Sequence, residues 1–576
     1  MILGIIGLVV AVMGAGHPGG DHLHRPQVVI DLSFTALPGY TAASLLRGLA
    51  AYSISLVFTL LVGYWAAKHA SSSRVLLPLL DILQSIPVLG FMPGLVIGLI
   101  ALFPGSDIGL ELAAILMIFT GQVWNMTFSF HQSLTSLPKD QVEAAEAFRF
   151  GWLRKLRNLE LPSATTGLVW NSMMSMAGGW FFLMISESFR LGDQDFRLPG
   201  IGSYMSVAME RGDWSAMVAG AAAMIGMIML LDQLLWRPLV VWAERFRVEE
   251  SSSVVAQRSW VLDRLRRSRI LAGIRHLLTR RNPQIPERGG RPTPPIQPPE
   301  ATQPRFGLLA VPPGLVERIG HGLAWAGLLV LVAALVWGAW GLIGLLAQVP
   351  WSDPGDRSEV TAWSEILGGT GLTALRVLGT VALGTLWALP VGLVIGRSPR
   401  WSQFLQPVVQ VAASFPAPML FPLCLLAFSA IGLPLGVGSM LLMLMGTQWY
   451  ILFNVIAGSQ SIPSDLRESA ASFRFSRWRR FWTLEVPAVF PNLVTGWVTA
   501  AGGAWNASIV AEYLTWHGAV TSTMGIGSTI SQATEHGDYP GLAAAVTCMA
   551  VVVVAINNTL WHRLSALASN RFSLSK

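Results

Sequence analysis

Charge is scarce in this sequence. Asp, Glu, Lys and Arg make up 12% of its 576 residues, against 52% hydrophobic residues, and mean hydropathy is +0.53. Soluble globular domains carry about twice that charge fraction, so a water-soluble class is excluded. Cysteine is scarcer still. Cys424 and Cys548 are the only two, both in apolar stretches and without metal-ligand spacing. They read as small core residues, and a disulfide framework is excluded. No Gly-Lys dipeptide occurs, so the chain has no P-loop. No nucleophile–base arrangement recurs along it, so neither an enzyme active site nor a metal site is predicted.

Long apolar runs are plentiful. Gly48–Ala67 and Leu435–Gln460 are free of charge and long enough to cross a bilayer as helices. The predicted fold class is an all-α polytopic membrane protein. The net charge of +7 is concentrated in one place: residues 244–305 hold 13 Arg and 6 acidic residues, an excess equal to that of the whole chain. Such a segment between membrane regions predicts a cytoplasmic linker, and no nucleic-acid partner is inferred. Within it, residues 257–281 interleave Trp260, Leu262, Leu265 and Ile270 with Arg, which predicts a basic amphipathic helix on membrane lipid. Residues 283–304 carry eight prolines and predict an extended spacer. At the other extreme, Met1–Gly16 is apolar with no Lys or Arg before Arg25. It is predicted not to be a secretory signal, and it is short for a first span.

An internal duplication organises the chain. Glu143-Ala144-Ala145 and Phe148-Arg149-Phe150 recur as Glu468-Ser469-Ala470 and Phe473-Arg474-Phe475, an offset of 325. The same offset carries Trp124, Pro138, Pro162, Trp180 and Glu187 onto Trp449, Pro463, Pro487, Trp505 and Glu512. Gly200-Ile201-Gly202-Ser203 and Gly212-Asp213 land on Gly525-Ile526-Gly527-Ser528 and Gly537-Asp538. Upstream the offset is 329: Arg47 falls on Arg376, Pro87 on Pro416 and Pro93 on Pro422. Two membrane modules are predicted, 1–243 and 316–576, joined by a linker at 244–315. Predicted helices are about 1–16, 44–67, 76–103, 109–133, 164–187 and 214–240 in the first copy. In the second they are about 321–347, 371–395, 404–430, 437–458, 488–511 and 539–562. Loop charge places Lys68, Arg74, Lys139–Arg157 and the linker in the cytoplasm, and His17–Tyr40, Phe103–Asp107 and Ser188–Asp213 outside. Six spans per copy make the repeats parallel.

The segments 137–162 and 462–487 stand out among the loops. In the first, Pro138 suits a helix start and Asp140 and Glu143 suit the positive helix end. Small residues then lead to Phe148 and Arg149, and Gly151 offers a turn before a short basic helix. A loop helix with Ala where bulk would block contact is suited to docking on another protein. These segments resemble the EAA loop of binding-protein-dependent ABC importer permeases, nitrate/sulfonate/taurine type, in a fused double form. The pattern is Glu-Ala-Ala, a Gly four residues past the second Ala, and an apolar-x-Leu-Pro ending. Here Arg149 and Arg474 occupy the Gly position, with Gly151 and Ser476 two residues later, and Ser469 replaces the first Ala of copy two. The resemblance implies two type I six-helix transmembrane domains, about 12 helices, in a bacterial plasma (inner) membrane. It implies that Glu143, Ala144, Ala145, Phe148, Arg149 and Gly151, with Glu468, Ser469, Ala470, Phe473, Arg474 and Ser476, form coupling helices. These would seat on two separate ABC ATPase subunits that bind ATP and Mg; the chain itself would hold no cofactor. A periplasmic or lipid-anchored solute-binding protein would deliver a small anion such as nitrate, a sulfonate or bicarbonate.

Further candidates rest on position. Glu187 and Glu512 sit at the outer end of each fifth helix, where a carboxylate is either buried and functional or water-facing. Arg47 and Arg376 could attract an anion, pair with those carboxylates, or snorkel. Asn171, Trp180, Trp505 and Asn506 lie on helices that line the pore in this family, although Trp also serves as an interfacial anchor. Asp232, with Asn557 as its counterpart, reads as a packing residue. His17, Asp21, His22 and His24 read as a polar loop rather than a metal site. The rival functional reading is an ion-gradient-driven secondary transporter, which would need buried charged pairs near mid-membrane. It gives no reason for two matched loops.

Overall fold

The computed structural model describes residues 28–246 and 333–572, apart from 86, 104–105, 192–193, 334–335, 353–360 and 517–518. The predicted first helix at 1–16, the His17–His24 cluster, the linker beyond residue 246 and the module boundary at 316 lie outside the described residues.

Copy one runs α1 (Leu37–Lys68), α2 (Ala70–Ser85), α3 (Val88–Leu102), α4 (Ile108–Thr135), α5 (Lys139–Ala147) and α6 (Trp152–Glu187). A hairpin of β1 (Arg190–Leu191) and β2 (Gln194–Asp195) follows, then α7 (Ile201–Arg211) and α8 (Trp214–Ala243). After α9 (Val336–Leu346) the order repeats as α10 (Trp363–Arg397), α11 (Pro399–Ser414), α12 (Phe421–Ala430), α13 (Leu435–Gln460), α14 (Ser464–Ser472) and α15 (477–511). The hairpin β3 (Tyr513–Trp516) and β4 (Ala519–Ser522), then α16 (Ile526–His536) and α17 (Tyr539–Arg571), complete it. Among the described residues, α1, α4, α6, α8, α10, α13 and α17 are long and apolar enough to cross a membrane, and the bent α11–α12 pair would make an eighth span.

The faces of these helices are inverted relative to a water-soluble protein. α1 exposes Leu46, Ile54, Val57, Leu61 and Trp65 while burying Ser44, Arg47 and Ser55. α10 exposes Leu367, Leu375, Leu386 and Val394 while burying Thr370, Thr373 and Thr380. Apolar surface directed outward and hydroxyls directed inward is stable only where the surroundings are hydrocarbon.

Two predicted helices are broken. The stretch at 76–103 divides into α2 and α3 around Pro87, whose ψ is 116°. The stretch at 404–430 breaks before Pro416, and its halves are bent by 83°. A proline pushes the preceding residue out of the helical region and supplies no N–H. Other helices run longer than predicted. α6 begins at Trp152 through a π turn at Leu156–Glu160, and α17 continues to Arg571 through a π turn at Asn557–Trp561. Both turns recur in the other copy, at Phe481–Glu485 and Asp232–Trp236.

The same pairs pack in each copy: α1 on α4 and α4 on α6, α10 on α13 and α13 on α15. The copies meet where the Val88 N–H donates to Asn506 Oδ1 at 2.8 Å and where Trp214 meets Trp516 edge-on at 5.7 Å.

Candidate functional site

α5 and α14 stand at one end of the helix bundle, between the spans they connect. Each ends in a complete Schellman motif. The Phe150 N–H donates to the Ala145 carbonyl and the Arg149 N–H to that of Glu146, both at 2.9 Å. In copy two Phe475 donates to Ala470 at 3.0 Å and Arg474 to Ala471 at 2.9 Å. The motif requires a left-handed residue at its centre. Arg149 (φ 48°) and Arg474 (φ 49°) take that role, and they are the only non-glycine residues with positive φ among those described. A side chain there costs about 1–2 kcal/mol relative to glycine. The turn expected at Gly151 is not there, since Gly151 has φ −64° and starts the next helix turn, as Ser476 does in copy two.

The motif also divides the loop residues by direction. Ala145 and Ala470 are each 5% exposed, turned toward the chain itself, so their small size serves internal packing. Glu143, Ala144, Arg149, Glu468, Ser469 and Arg474 are exposed. So are Phe148 at 74% and Phe473 at 77%. An exposed phenylalanine beside a short helix thus recurs in both copies. Behind it, Arg154 lies over the Phe150 ring at 5.7 Å and Arg479 over the Phe475 ring at 4.6 Å.

The base of each loop is tied to the bundle by an ion pair that sequence reasoning missed. Lys68, at the end of α1, pairs with Glu160, and Arg397, at the end of α10, pairs with Glu485. Each carboxylate sits in a π turn and is at most 2% exposed. The signal was in the sequence: Lys68 and Arg397 are 329 apart, Glu160 and Glu485 are 325 apart, matching the duplication.

At the opposite end a second pair of clusters closes. Glu187 accepts from Ser44 Oγ and Arg47 Nη1 at 2.7 Å and from the Gly202 N–H at 2.8 Å. Glu512 accepts from Thr373 Oγ1 at 2.8 Å, Arg376 Nη1 at 2.7 Å and the Gly527 N–H at 2.9 Å. Of the readings open for these residues, the geometry shows Arg–Glu pairing with both carboxylates fully buried. It also accounts for the repeated Gly-Ile-Gly-Ser. A Cβ on Gly200 would lie 2.3 Å from the Glu187 carboxyl, and one on Gly525 2.2 Å from that of Glu512. The Gly-Asp repeat is a helix end followed by a cap. Gly212 is left-handed at φ 64°, and Asp213 accepts from the Ser215 and Ala216 N–H groups of α8. Hydrogen bonds from Ser215, above all its hydroxyl, hold the Asp213 carboxyl below the usual carboxylate range.

Between these ends, at the junction of the copies, lies a cavity of about 70 Å³ lined by Gly178, Phe182, Phe415, Trp449, Tyr450 and Asn506 among others. No charged side chain lines it. Of the helix residues proposed for the pathway, Asn506 lines this cavity. Asn171 does not: it bonds Ser129 Oγ at 2.9 Å and the Gly167 carbonyl at 3.0 Å. Trp180 and Trp505, each 2% exposed, are packed in the core. Asp232 pairs with Arg237 at 3.2 Å on its own helix.

The model of the binding-protein-dependent transport system inner membrane component matches this chain twice, at residues 59–235 and 388–566. The chain belongs to that family. It is an ABC-transporter permease with the family unit present twice in one multi-pass inner-membrane polypeptide. It is similar to the nitrate import permease protein NrtB of Leptolyngbya laminosa, 30% identical over 31% of this chain and 62% of that protein. It is also similar to the taurine transport system permease protein TauC of Escherichia coli, 24% identical over 34% and 65% respectively. The bicarbonate transport system permease protein CmpB of Synechocystis is 26% identical over 42% of this chain and 86% of its own length. The match covers less than two-thirds of the first two of these proteins.

A direct test of the loop geometry follows. In this permease Arg149→Gly keeps α5 intact, because glycine takes φ 48° without strain. Arg149→Val destabilises the helix end by about 1–2 kcal/mol. Hydrogen exchange of the α5 amides reads the difference: protection is retained in the glycine variant and lost in the valine variant. Equal protection in both would remove the left-handed turn from the account.

Proposed function

We propose that this permease forms the solute pathway of an importer and draws its energy from two separate ATPase subunits, one seated on α5 and the other on α14. The observation that carries the reading is the pair of exposed, identically terminated helices at repeat-equivalent positions, each followed by a helix whose start is tied by an ion pair to α1 or α10. Parallel duplication supplies two docking helices on one side of the membrane, as two ATPases require. A solute-binding protein would deliver its ligand at the opposite face, where the two hairpins lie. The relatives' names point to a small anion such as nitrate, a sulfonate or bicarbonate. The secondary-transporter alternative calls for charged pairs at mid-depth, whereas the charged clusters here lie at the two ends of the bundle and the central cavity has no charged lining.

The test is association with the cognate ATPase. Glu143 and Glu468 are exposed at the midpoints of the docking helices, where a reversed charge would meet the partner's surface. Glu143→Lys and Glu468→Lys, singly and together, are expected to reduce co-purification of the ATPase and ATP-dependent uptake, most in the double variant. Wild-type association and uptake by the double variant would sink the coupling assignment.

A further inference from the structure

Tyr450 lies on α13, ten residues before its end at Gln460, which places it roughly 15 Å along the axis from that end, near mid-depth. Its side chain reaches across the junction of the copies. A methyl group placed on Gly178 of α6 would sit 3.0 Å from the Tyr450 hydroxyl. One placed on Gly503 of α15 would sit 3.4 Å from the Tyr450 ring. Gly178 and Gly503 are themselves equivalent at the offset of 325. The phenol thus lies against the same position of two equivalent helices, at the junction of the copies. Its counterpart in copy one is Asn125, a shorter side chain, so one copy alone supplies the plug.

The hydroxyl is also without a protein hydrogen bond among the described residues; only the backbone carbonyl of Tyr450 is engaged, by Asn454. Tyr450 is half-buried, so its hydroxyl is open to whatever fills the space beside it. This one borders the cavity of about 70 Å³, whose walls are otherwise mostly aromatic and aliphatic. Asn506, the nearest rival for a solute contact, already accepts from the Val88 N–H and donates to the Gly502 carbonyl.

We infer that Tyr450 is both the gate of the solute pathway and the hydrogen-bond donor that meets the solute in transit, the solute being a small oxyanion. This rests on the pathway reading above. A neutral O–H donor in apolar walls suits an acceptor-bearing anion that must bind and then leave, because a fixed cation would hold it too tightly for passage. When the helices separate, the glycines withdraw from both sides of the ring, and Phe182 of α6 and Asn506 of α15, one turn on, border the opening.

Two substitutions separate gate from contact, with nitrate as the probe. In liposomes holding the full-length chain and loaded with potassium nitrate, Tyr450→Ala is expected to leak nitrate without ATP on the order of tenfold faster than wild type. Tyr450→Phe keeps the ring, so its leak stays at the wild-type level. In cells, Tyr450→Phe is expected to raise the KM for nitrate uptake about tenfold through loss of one charge-assisted hydrogen bond. A sealed Tyr450→Ala protein that still co-purifies with the ATPase would overturn the gate, and an unchanged KM in Tyr450→Phe would overturn the contact. Should Tyr450→Ala fail to fold, the milder Tyr450→Leu reads the leak in its place, and Tyr450→Phe still reads the contact. ATPase co-purification is independent of both readouts, so failure here is distinguishable from failure of the coupling assignment.

Discussion

Glu512→Ala is expected to destabilise the permease markedly more than Glu187→Ala, although the two residues are equivalent by sequence. Both carboxylates are fully buried and take the same three kinds of donor, a hydroxyl, a guanidinium and a glycine N–H. The difference is in what remains when they are removed. Arg47 keeps a bidentate partner, because its Nε and Nη2 donate to Glu111 at 2.6 and 2.7 Å. Arg376 has no second carboxylate among the described residues. Its Nε donates to the Gly436 carbonyl at 3.0 Å and its Nη2 to Thr523 Oγ1 at 3.2 Å. Stranding a buried charge costs about 3–5 kcal/mol, so Glu512→Ala should approach that range and Glu187→Ala should fall well below it. Apparent melting temperature in detergent, compared across the two variants and Glu111→Ala, is the measurement. The double variant Glu111→Ala/Glu187→Ala should then reproduce the severity of Glu512→Ala alone. Equal effects of the two single variants would contradict the asymmetry.

The second large effect concerns the ion pairs beneath the docking helices. Glu160→Lys faces Lys68 with a like charge at a site where Glu160 is 1% exposed, and it should detach the start of α6, just beyond α5, from α1. On the coupling reading proposed above, ATPase association rests on the exposed face of α5 and should survive. Solute moved per ATP hydrolysed should fall on the order of tenfold, since loop motion no longer reaches the span. The swap Lys68→Glu/Glu160→Lys should restore much of the coupling, which a merely destabilising substitution would not. In copy two the equivalent swap, Arg397→Glu/Glu485→Arg, should recover less. Arg480 also lies 2.9 Å from Glu485 and would meet the new arginine with a like charge. Failure of the copy-one swap to exceed Glu160→Lys alone would assign these pairs to folding rather than to transmission.

Ordering of the chain and its class were legible without coordinates. Low charge and long apolar runs can be satisfied only in a bilayer, and duplication at a constant offset shows in residue identities whatever the fold. The two loop helices were legible for the same reason. Arg47 and Glu187 could be matched as candidates because each recurs at its own offset, and the same search would have found Lys68 with Glu160.

Direction and partnership required the tertiary structure. Two adjacent alanines read alike in sequence, yet Ala144 faces out and Ala145 faces in, because the Schellman turn rather than the composition sets the rotation of the helix end. The left-handed residue is an arginine that no propensity rule would choose, held there by two backbone hydrogen bonds. Helix breaks at Pro87 and Pro416 fall inside stretches whose summed hydropathy reads as one span, and a sum over a window is blind to a bend. Whether Arg376 has one carboxylate or two, and whether a tyrosine lies between two glycines far from it in the chain, depends on which helices pack against one another. Packing is decided by shape complementarity across the whole bundle, and residue order along the chain does not encode it locally.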